Sequence, residues 1–241
     1  MASTLAESTD PYCLREGESA ALLSGHGWRR FVVLGDSVAE GSCEPTAGYS
    51  DQQWADRIAA ELDAARPGLA YLNLGRSGLR AHEVRATQLA PALAFGPDLA
   101  LVVCGGNDAF RSRYDADSVD GELTEMIVAL QQAGADVITV GMFDVSYSPA
   151  VPEAARPGLR ERMRRLSAHT ARLAERLGTL HVHLTYHPLT ADPTLYSTDG
   201  RHGSARSDAI ATAETLRALS RQLPAPGDHE VGGAGSRPEP R

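Results

Sequence analysis

Three separated stretches of the chain carry the side chains that acyl-transfer chemistry needs. Ser37 lies in a Gly-Asp-Ser turn directly after an apolar run, and Asn107 lies in a Gly-Gly-Asn-Asp stretch after a second one. Asp199 precedes His202 by three residues near the C-terminal end. Together they supply a nucleophile, an amide donor, and a base with an orienting carboxylate.

A serine hydroxyl attacks a carbonyl carbon only when a base removes its proton and a further group orients that base. His202 is the candidate base, because the carboxylate of Asp199 can reach the imidazole Nδ1 while Nε2 points at Ser37. Taken alone, the Asp199–His202 segment could be an ordinary surface turn. The presence of the Ser37 and Asn107 stretches in the same chain favours a catalytic site.

Negative charge that develops on the carbonyl oxygen needs hydrogen-bond donors. The side-chain amide of Asn107 and the backbone N–H of Ser37 are two candidates. Gly78, in the loop after the second predicted strand, is a third, and Gly75 in the same loop competes with it. Asn107 by itself could instead be a turn residue bonded to its own backbone.

Strands and helices alternate along the chain and must position these residues. Strands are predicted at 31–35, 69–74, 98–104, 136–141 and 180–184, and helices at 49–65, 82–94, 117–133, 157–177 and 205–222. This alternation predicts an α/β fold with a parallel sheet covered by helices on both faces. Sites in such sheets lie beyond the carboxyl ends of the strands, where Ser37 and Asn107 are expected.

One domain at 29–223 accounts for these elements. Residues 1–28 are expected to precede it as an N-terminal arm, loose over 1–12, with a short helix at 14–24. The tail 224–241 is rich in proline, glycine and charge and is expected to be disordered. The proline-containing segment 143–158 is expected to be a long loop that forms a pocket wall or lid.

Composition excludes several functional classes. The 241 residues carry a net charge of −8, which argues against a nucleic-acid partner. All 23 lysine and arginine positions are arginine, which excludes a Schiff-base lysine, a Ser-Lys dyad and a P-loop. The N-terminus has no signal-peptide pattern and no apolar run spans a membrane, so a cytoplasmic protein is expected.

Neither a metal nor a cofactor is expected. Cys13, Cys43 and Cys104 have neither metal-ligand spacing nor the pattern of a disulfide framework. His181 and His183 share one face of a strand, but no third ligand accompanies them.

The motifs resemble those of the SGNH hydrolases, the GDSL-type esterases and lipases, over roughly residues 30–222. The matching blocks are Gly35-Asp36-Ser37 with Gly41, Gly78 within Asn73–Gly78, Gly105-Gly106-Asn107-Asp108, and Asp199 with His202. The resemblance implies a flavodoxin-like three-layer α/β/α sandwich with a five-stranded parallel sheet.

The resemblance also implies roles for the site residues. Ser37 would be the nucleophile, His202 the base and Asp199 its partner, with an oxyanion hole formed by the Ser37 N–H, the Gly78 N–H and the Asn107 side chain. Family members often carry proline where this chain has Gly203, and Arg201 places a bulky charge between acid and base. Neither departure removes a catalytic atom, and Arg201 bears on a preference for acidic substrates.

The first hypothesis is a serine hydrolase that cleaves an ester, thioester or acyl-sugar bond of a small acyl substrate through an acyl-enzyme on Ser37. An acyltransferase that passes the acyl group to an acceptor other than water is the alternative, since the constellation is the same. A non-catalytic binding domain is a third reading, disfavoured because all the catalytic side chains are present. The basic segment 156–165 makes a carrier protein a further candidate partner.

Overall fold

Five short apolar strands form the centre of the computed structural model, which describes residues 6–223. All pair in parallel, in the order β3-β1-β4-β5-β6. Their bounds are β1 (Arg30–Gly35), β3 (Ala70–Asn73), β4 (Leu99–Val103), β5 (Asp136–Gly141) and β6 (Leu180–His183). Two further strands, β2 (Cys43–Glu44) and β7 (Gly203–Ser204), pair with each other outside this sheet.

Helices cover both faces of the sheet. They are α1 (Glu18–Leu22), α2 (Ser37–Glu40), α3 (Trp54–Ala65), α4 (Ala81–Phe95), α5 (Gly106–Ala109), α6 (Ala116–Gln132), α7 (Arg156–Leu177) and α8 (Ala205–Ser220). Helices α1, α3 and α8 pack together on one face, and α4, α6 and α7 on the other. The four-residue helices α2 and α5 follow the ends of β1 and β4.

Burial on both faces explains why β1, β4 and β5 are largely apolar, whereas the edge strands β3 and β6 are only partly buried and carry polar residues. In β1, Val32 and Leu34 join the core beneath α4, α6 and α7, whereas Phe31 and Val33 join the core beneath α3 and α8. All four side chains are fully buried. The predicted three-layer sandwich with a five-stranded parallel sheet is therefore confirmed.

The strand order places the carboxyl end of β1 between the ends of β3 and β4, so β1 is the second strand of the sheet and β4 the central one. From β1 the chain first moves outward to β3 and then crosses back over to β4, on the other side of β1. Such a reversal opens a crevice between the two neighbouring strand ends. Ser37 follows β1 and Asn107 follows β4, so both lie at this crevice.

The helix predicted at 49–65 begins only at Trp54, so its predicted start is wrong. The Arg57 guanidinium holds the preceding segment in a non-helical course, donating to the carbonyl oxygens of Ser50 and Gln52. Segment 143–158 also differs from a plain loop. It contains two 3₁₀ helices, Val145–Tyr147 and Glu153–Ala155, and its last residues already belong to α7.

The N-terminal arm is not loose over residues 6–12, and that prediction is wrong for this stretch. Asp10 is buried and accepts hydrogen bonds from Arg206 Nε at 2.8 Å and from the Tyr49 hydroxyl at 2.8 Å. The Asp10–Arg206 ion pair thus fastens the arm to α8, and a second ion pair, between Glu7 and Arg57 at 2.6 Å, fastens it to α3. The sequence pattern of an acidic, polar segment does not reveal these pairs. The expected disordered tail at 224–241 lies outside the described residues.

No helix between residues 6 and 223 combines the length and the apolar character needed to cross a bilayer.

A half-buried carboxyl group joins α8 to the start of α3. Asp208 Oδ2 accepts a hydrogen bond from the first N–H of α3, at Trp54, at 3.1 Å. Burial raises the pKa of Asp208 to about 6, although hydrogen bonds from the Cys43 thiol and the Trp54 N–H favour the carboxylate. Burial also raises the pKa of Cys43 to about 12, so this thiol stays protonated. The folded protein therefore holds the proton of Asp208 more tightly than an unfolded chain does.

This linkage predicts a pH-dependent loss of stability that Asp208→Asn removes. Between pH 4 and pH 6 the native state binds the extra proton, so the stability of the natural chain falls as the pH rises through this window. The free energy of unfolding of Asp208→Asn, relative to the natural chain, should rise by about 3 kcal/mol between pH 3.5 and pH 8. Urea unfolding at several pH values measures this, and a constant difference would contradict the assignment.

Candidate active site

A cavity opens at the carboxyl ends of the strands, and four of the five predicted site residues line it: Ser37, Gly78, Asn107 and His202. Asp199 lies behind His202. The empty space measures about 1050 Å³, including the part open to solvent. Its apolar walls include Phe110, Met142, Phe143, Val145, Met163, Leu195 and Tyr196. The structure thus brings the sequence-predicted residues together at one pocket.

The nucleophile candidate is held by the turn from β1 into α2. Asp36 is the N-cap of α2, and its Oδ1 accepts a hydrogen bond from Val38 N at 3.1 Å. Gly35 must be glycine, since a Cβ there would lie 2.0 Å from the Val103 carbonyl oxygen. Tight contact with β4 therefore fixes where the chain turns toward Ser37.

A residue that the sequence analysis missed completes this turn. Gln88 of α4 is 4% exposed, and its side-chain amide hydrogen-bonds the backbone of Gly35 on the side opposite β4. Its Oε1 accepts from Gly35 N at 2.8 Å, and its Nε2 donates to Gly35 O at 2.8 Å. The register with β3 ends at the Val33–Asn73 pair, so the Gln88 amide takes the place that a longer neighbouring strand would fill. The sequence could have indicated this residue, because Gln88 lies four residues from both Val84 and Ala92, on the same buried face of α4.

The base candidate and its partner form a short contact. His202 Nδ1 and Asp199 Oδ2 are 2.5 Å apart. Asp199 Oδ1 also accepts from the Ser197 hydroxyl at 2.5 Å, from Arg201 N at 2.8 Å and from His202 N at 3.0 Å. Burial acts to raise the pKa of Asp199, but these hydrogen bonds outweigh it and hold the pKa well below its usual range. The group beside the imidazole is therefore a carboxylate at neutral pH.

The predicted contact of His202 Nε2 with the nucleophile is not made as a hydrogen bond. Ser37 and His202 line the same cavity, but within residues 6–223 no hydrogen bond joins Ser37 Oγ to the imidazole. Catalytic hydrogen bonds are often long in the absence of substrate, so this geometry does not remove His202 as the base candidate.

A two-stranded sheet ties the two halves of the site together. Strand β2, just after the nucleophile helix, pairs with β7, just after His202, through Cys43–Gly203 and Glu44–Ser204. Glu44 Oε2 also accepts from the Thr198 backbone N–H at 2.6 Å. The loop behind Ser37 and the loop that carries His202 are thus one bonded unit.

Two backbone donors at the cavity are unoccupied. Neither the Ser37 N–H nor the Gly78 N–H donates to another residue in the described part of the chain. The N–H of Gly75, the competing choice, is already bonded to Asn73 Oδ1 at 2.8 Å. A Cβ at Gly75 would also lie 2.3 Å from Glu40 N, so this glycine serves packing against α2. The geometry favours Gly78 as the donor.

The Asn107 amide is held in place by its surroundings. Asn107 Nδ2 donates to the Leu79 carbonyl oxygen at 3.0 Å, and it lies 3.4 Å from Asp36 Oδ2. The longer contact leaves the second N–H only weakly engaged, and this N–H remains available to a stronger acceptor in the cavity. The hydrogen bond to Leu79 therefore orients the Asn107 amide, and its second N–H can donate to a ligand in the cavity.

Two carboxyl groups lie under the site, of which Asp36 is buried and Asp108 is half-buried. Burial raises the pKa of Asp36 to about 7, and nearby Asp108 adds to the rise, whereas the Val38 N–H and His202 oppose it. Burial also raises the pKa of Asp108, which accepts from the first N–H of α4, at Ala81, at 3.0 Å. The charge beneath the nucleophile turn therefore changes around neutral pH.

The remaining histidine candidates lie apart from the cavity lining. His181 and His183 share a strand face as predicted, with ring centroids 4.4 Å apart, and His181 Nδ1 lies 2.9 Å from the Thr139 hydroxyl. One group of three metal-capable side chains occurs within residues 6–223, formed by Asp117, Asp120 and His169 on α6 and α7. None of these five residues lines the cavity that holds Ser37.

The model of the GDSL-like lipase/acylhydrolase family matches residues 33–209. That span is most of the chain and includes Ser37, Gly78, Asn107, Asp199 and His202. The chain therefore belongs to this family, the SGNH hydrolases, as its motifs predicted. No curated protein is similar enough in sequence to be matched to it.

Several solved structures share the fold. LAE5, an α/β hydrolase enzyme from the metagenome of Lake Arreo in Spain, is 18% identical over 81% of this chain and 95% of its own, with a TM-score of 0.63. A variant of Axe2, an acetyl xylan esterase from Geobacillus stearothermophilus, is 19% identical over 82% and 96%, with a TM-score of 0.65. The psychrotrophic esterase EstA from Pseudoalteromonas sp. is 14% identical over 80% and 97%, with a TM-score of 0.61. At these identities the likeness concerns the fold.

The two hydrogen bonds from Gln88 to Gly35 predict that Gln88→Met lowers turnover as well as stability. Methionine fills a similar volume but leaves the buried Gly35 N–H without a partner, which costs about 1–3 kcal/mol, and leaves the Gly35 C=O with the Arg76 N–H alone, at 3.2 Å. If the turn that carries Ser37 shifts by about 1 Å, kcat of the variant should fall on the order of 100-fold. Hydrolysis of p-nitrophenyl acetate, measured where the variant is folded by circular dichroism, tests this.

Gln131→Met is the matched control, because Gln131 also makes a tertiary hydrogen bond, to the Leu177 carbonyl oxygen at 2.9 Å, far along the chain from the site. It should lose stability and keep its kcat. A folded Gln88→Met enzyme with unchanged kcat would show that Gln88 serves stability alone.

Proposed function

We propose that this protein is a serine hydrolase that cleaves a carboxylic ester, thioester or acyl-sugar bond through an acyl-enzyme on Ser37. One observation carries the proposal: the Asp199–His202 pair, with its 2.5 Å contact, stands at the same cavity as the Ser37 hydroxyl. A serine, a neutralisable imidazole and a fixed carboxylate are the parts that activate a hydroxyl for attack.

In the first step Ser37 Oγ attacks the carbonyl carbon while His202 Nε2 takes the hydroxyl proton. The imidazolium that forms is stabilised by the carboxylate of Asp199, whose lowered pKa keeps it charged. The carbonyl oxygen becomes an oxyanion and accepts hydrogen bonds from the Ser37 N–H, the Gly78 N–H and Asn107 Nδ2. The two unoccupied N–H groups support this assignment, since they need no rearrangement to receive the charge.

In the second step the tetrahedral intermediate collapses and the bond to the leaving group breaks. His202 returns its proton to the departing oxygen or sulfur, which leaves as an alcohol or thiol. Water then attacks the acyl-serine with His202 again as the base, and the carboxylic acid is released. The same donors stabilise the second oxyanion, so one arrangement serves both halves of the reaction.

The cavity offers an apolar surface to an acyl group. Apolar side chains, among them Met142, Phe143 and Val145, line the cavity that also holds Ser37. The acetyl xylan esterase that shares the fold makes short-chain acyl sugars a reasonable first panel. An acyltransferase would use the same acyl-enzyme with a different acceptor, and the products separate the two activities.

The nucleophile is tested by Ser37→Ala. Removing the hydroxyl should lower kcat by about 10⁴- to 10⁶-fold, because no acyl-enzyme can form. Acetyl, butyryl and octanoyl p-nitrophenyl esters should each release equimolar p-nitrophenol and free acid with the natural chain. A fluorophosphonate should label the natural chain at Ser37 only. Labelling of the variant, or a dominant product in which an added alcohol carries the acyl group, would overturn the proposal.

The oxyanion donor is tested by Asn107→Ala and Asn107→Asp. Loss of one donor should cost about 2.7–4 kcal/mol in the barrier, which is about 10²- to 10³-fold in kcat. The aspartate variant keeps the size but turns a carboxylate toward the oxyanion, so its loss should be larger still. The effect should fall on kcat rather than KM, because the charge exists only in the transition state. A rise in KM alone would make Asn107 a substrate-binding residue.

A further inference from the structure

Arg201 stands at the mouth of the cavity, next to the base. It lines the same cavity as Ser37 and His202 and is exposed to solvent. Its guanidinium carbon lies 5.8 Å from the centre of the Phe110 ring, across the mouth. An arginine that rests on an aromatic face has part of its freedom removed before any ligand arrives.

The charge of Arg201 has no acidic counterpart within residues 6–223. Arg57, Arg206 and Arg217 each form ion pairs with carboxylates, but no such pair involves Arg201. The neighbouring carboxylate of Asp199 receives the backbone N–H of Arg201 and is committed to the imidazole of His202. The guanidinium fork is therefore free, in a chain whose net charge is −8.

The place of Arg201 in the chain decides which part of a substrate it can meet. During cleavage His202 gives its proton to the leaving group, so the leaving group lies beside His202. Arg201 precedes His202 directly, and consecutive Cα atoms are about 3.8 Å apart. The Arg201 side chain, which also lines the cavity, can therefore reach a leaving group that takes its proton from His202.

We propose that Arg201 is a specificity-determining residue that binds an anionic group, a carboxylate or a phosphate, carried by the leaving alcohol of the ester. Its planar fork matches the paired oxygens of either group, and both form charge-assisted hydrogen bonds with guanidinium. This inference rests on the proposed hydrolase activity and narrows its substrates to esters of acidic alcohols.

Two esters of equal size isolate the charge. 4-Acetoxybenzoate and 4-acetoxybenzamide share the acetyl group and differ in the anion on the leaving phenol. For the natural chain we expect kcat/KM for the benzoate to exceed that for the benzamide by about 5-fold, mainly through KM, a size that suits a partly exposed charge pair. The preference should shrink between 10 mM and 500 mM NaCl, since salt screens exposed charges.

Substitution assigns the preference to Arg201. In Arg201→Gln the benzoate-to-benzamide ratio should fall about 5-fold, and in Arg201→Glu it should fall further, as like charges repel. Arg172→Gln is the control, because Arg172 is an exposed arginine in the second half of α7 and does not line the cavity. It should keep the ratio of the natural chain. A ratio equal in the natural chain and Arg201→Gln, whatever its value, overturns the inference.

Product binding keeps this test separate from the proposed activity. Calorimetry with 4-hydroxybenzoate and 4-hydroxybenzamide should give the same order of affinity, lost in Arg201→Gln, whether or not either ester is cleaved. Failure to cleave both esters would contradict the hydrolase, whereas equal binding of both phenols would contradict the role of Arg201. 4-Acetoxyphenyl phosphate, compared in the same way, shows whether carboxylate or phosphate is the better partner.

Discussion

The close approach of β1 to β4 at Gly35 is the constraint on which the site depends. A side chain at this position would meet the Val103 carbonyl oxygen at 2.0 Å, so the strands can come together only around a glycine. Gln88 then secures both peptide groups of Gly35 from the opposite side. Arg76 N adds a third contact, donating to Gly35 O at 3.2 Å. Because contacts on two sides hold the end of β1, the backbone position of Ser37, two residues later, is fixed as well.

The loop that brings Gly78 depends on the same region. Asn73 Nδ2 donates to the Ala39 carbonyl oxygen at 2.7 Å, and Gly75 packs against the backbone of α2 with no room for a side chain. The loop after β3 is thus built onto the helix that begins with Ser37. The loop of the candidate donor Gly78 is thus fixed to the same helix as the candidate nucleophile, and both residues line one cavity.

Sequence patterns predicted the sheet and its helices because burial leaves a periodic trace. Apolar runs such as Phe31–Leu34 and the helical spacing of Leu159, Met163 and Leu166 follow directly from packing on the sheet. Contacts made by single polar groups left no such trace. The anchor at Asp10 and the role of Gln88 depend on partners distant in sequence, at Arg206 and Gly35. The candidate site residues were found because four short motifs coincide, and their catalytic roles remain proposals.

Pairing of β2 with β7 has a consequence for how this enzyme can diversify. Residues 43–44 pair with residues 203–204, and the Glu44 side chain accepts a hydrogen bond from the Thr198 N–H. An insertion near residues 43–44 would therefore also displace the loop that carries His202. It would change the positions of Ser37 and His202 relative to each other. Segments 109–115 and 143–155 have no strand that ties them to either loop in the described part of the chain. New substrate ranges, natural or engineered, should therefore arise by lengthening those two segments, while the paired loops keep their length.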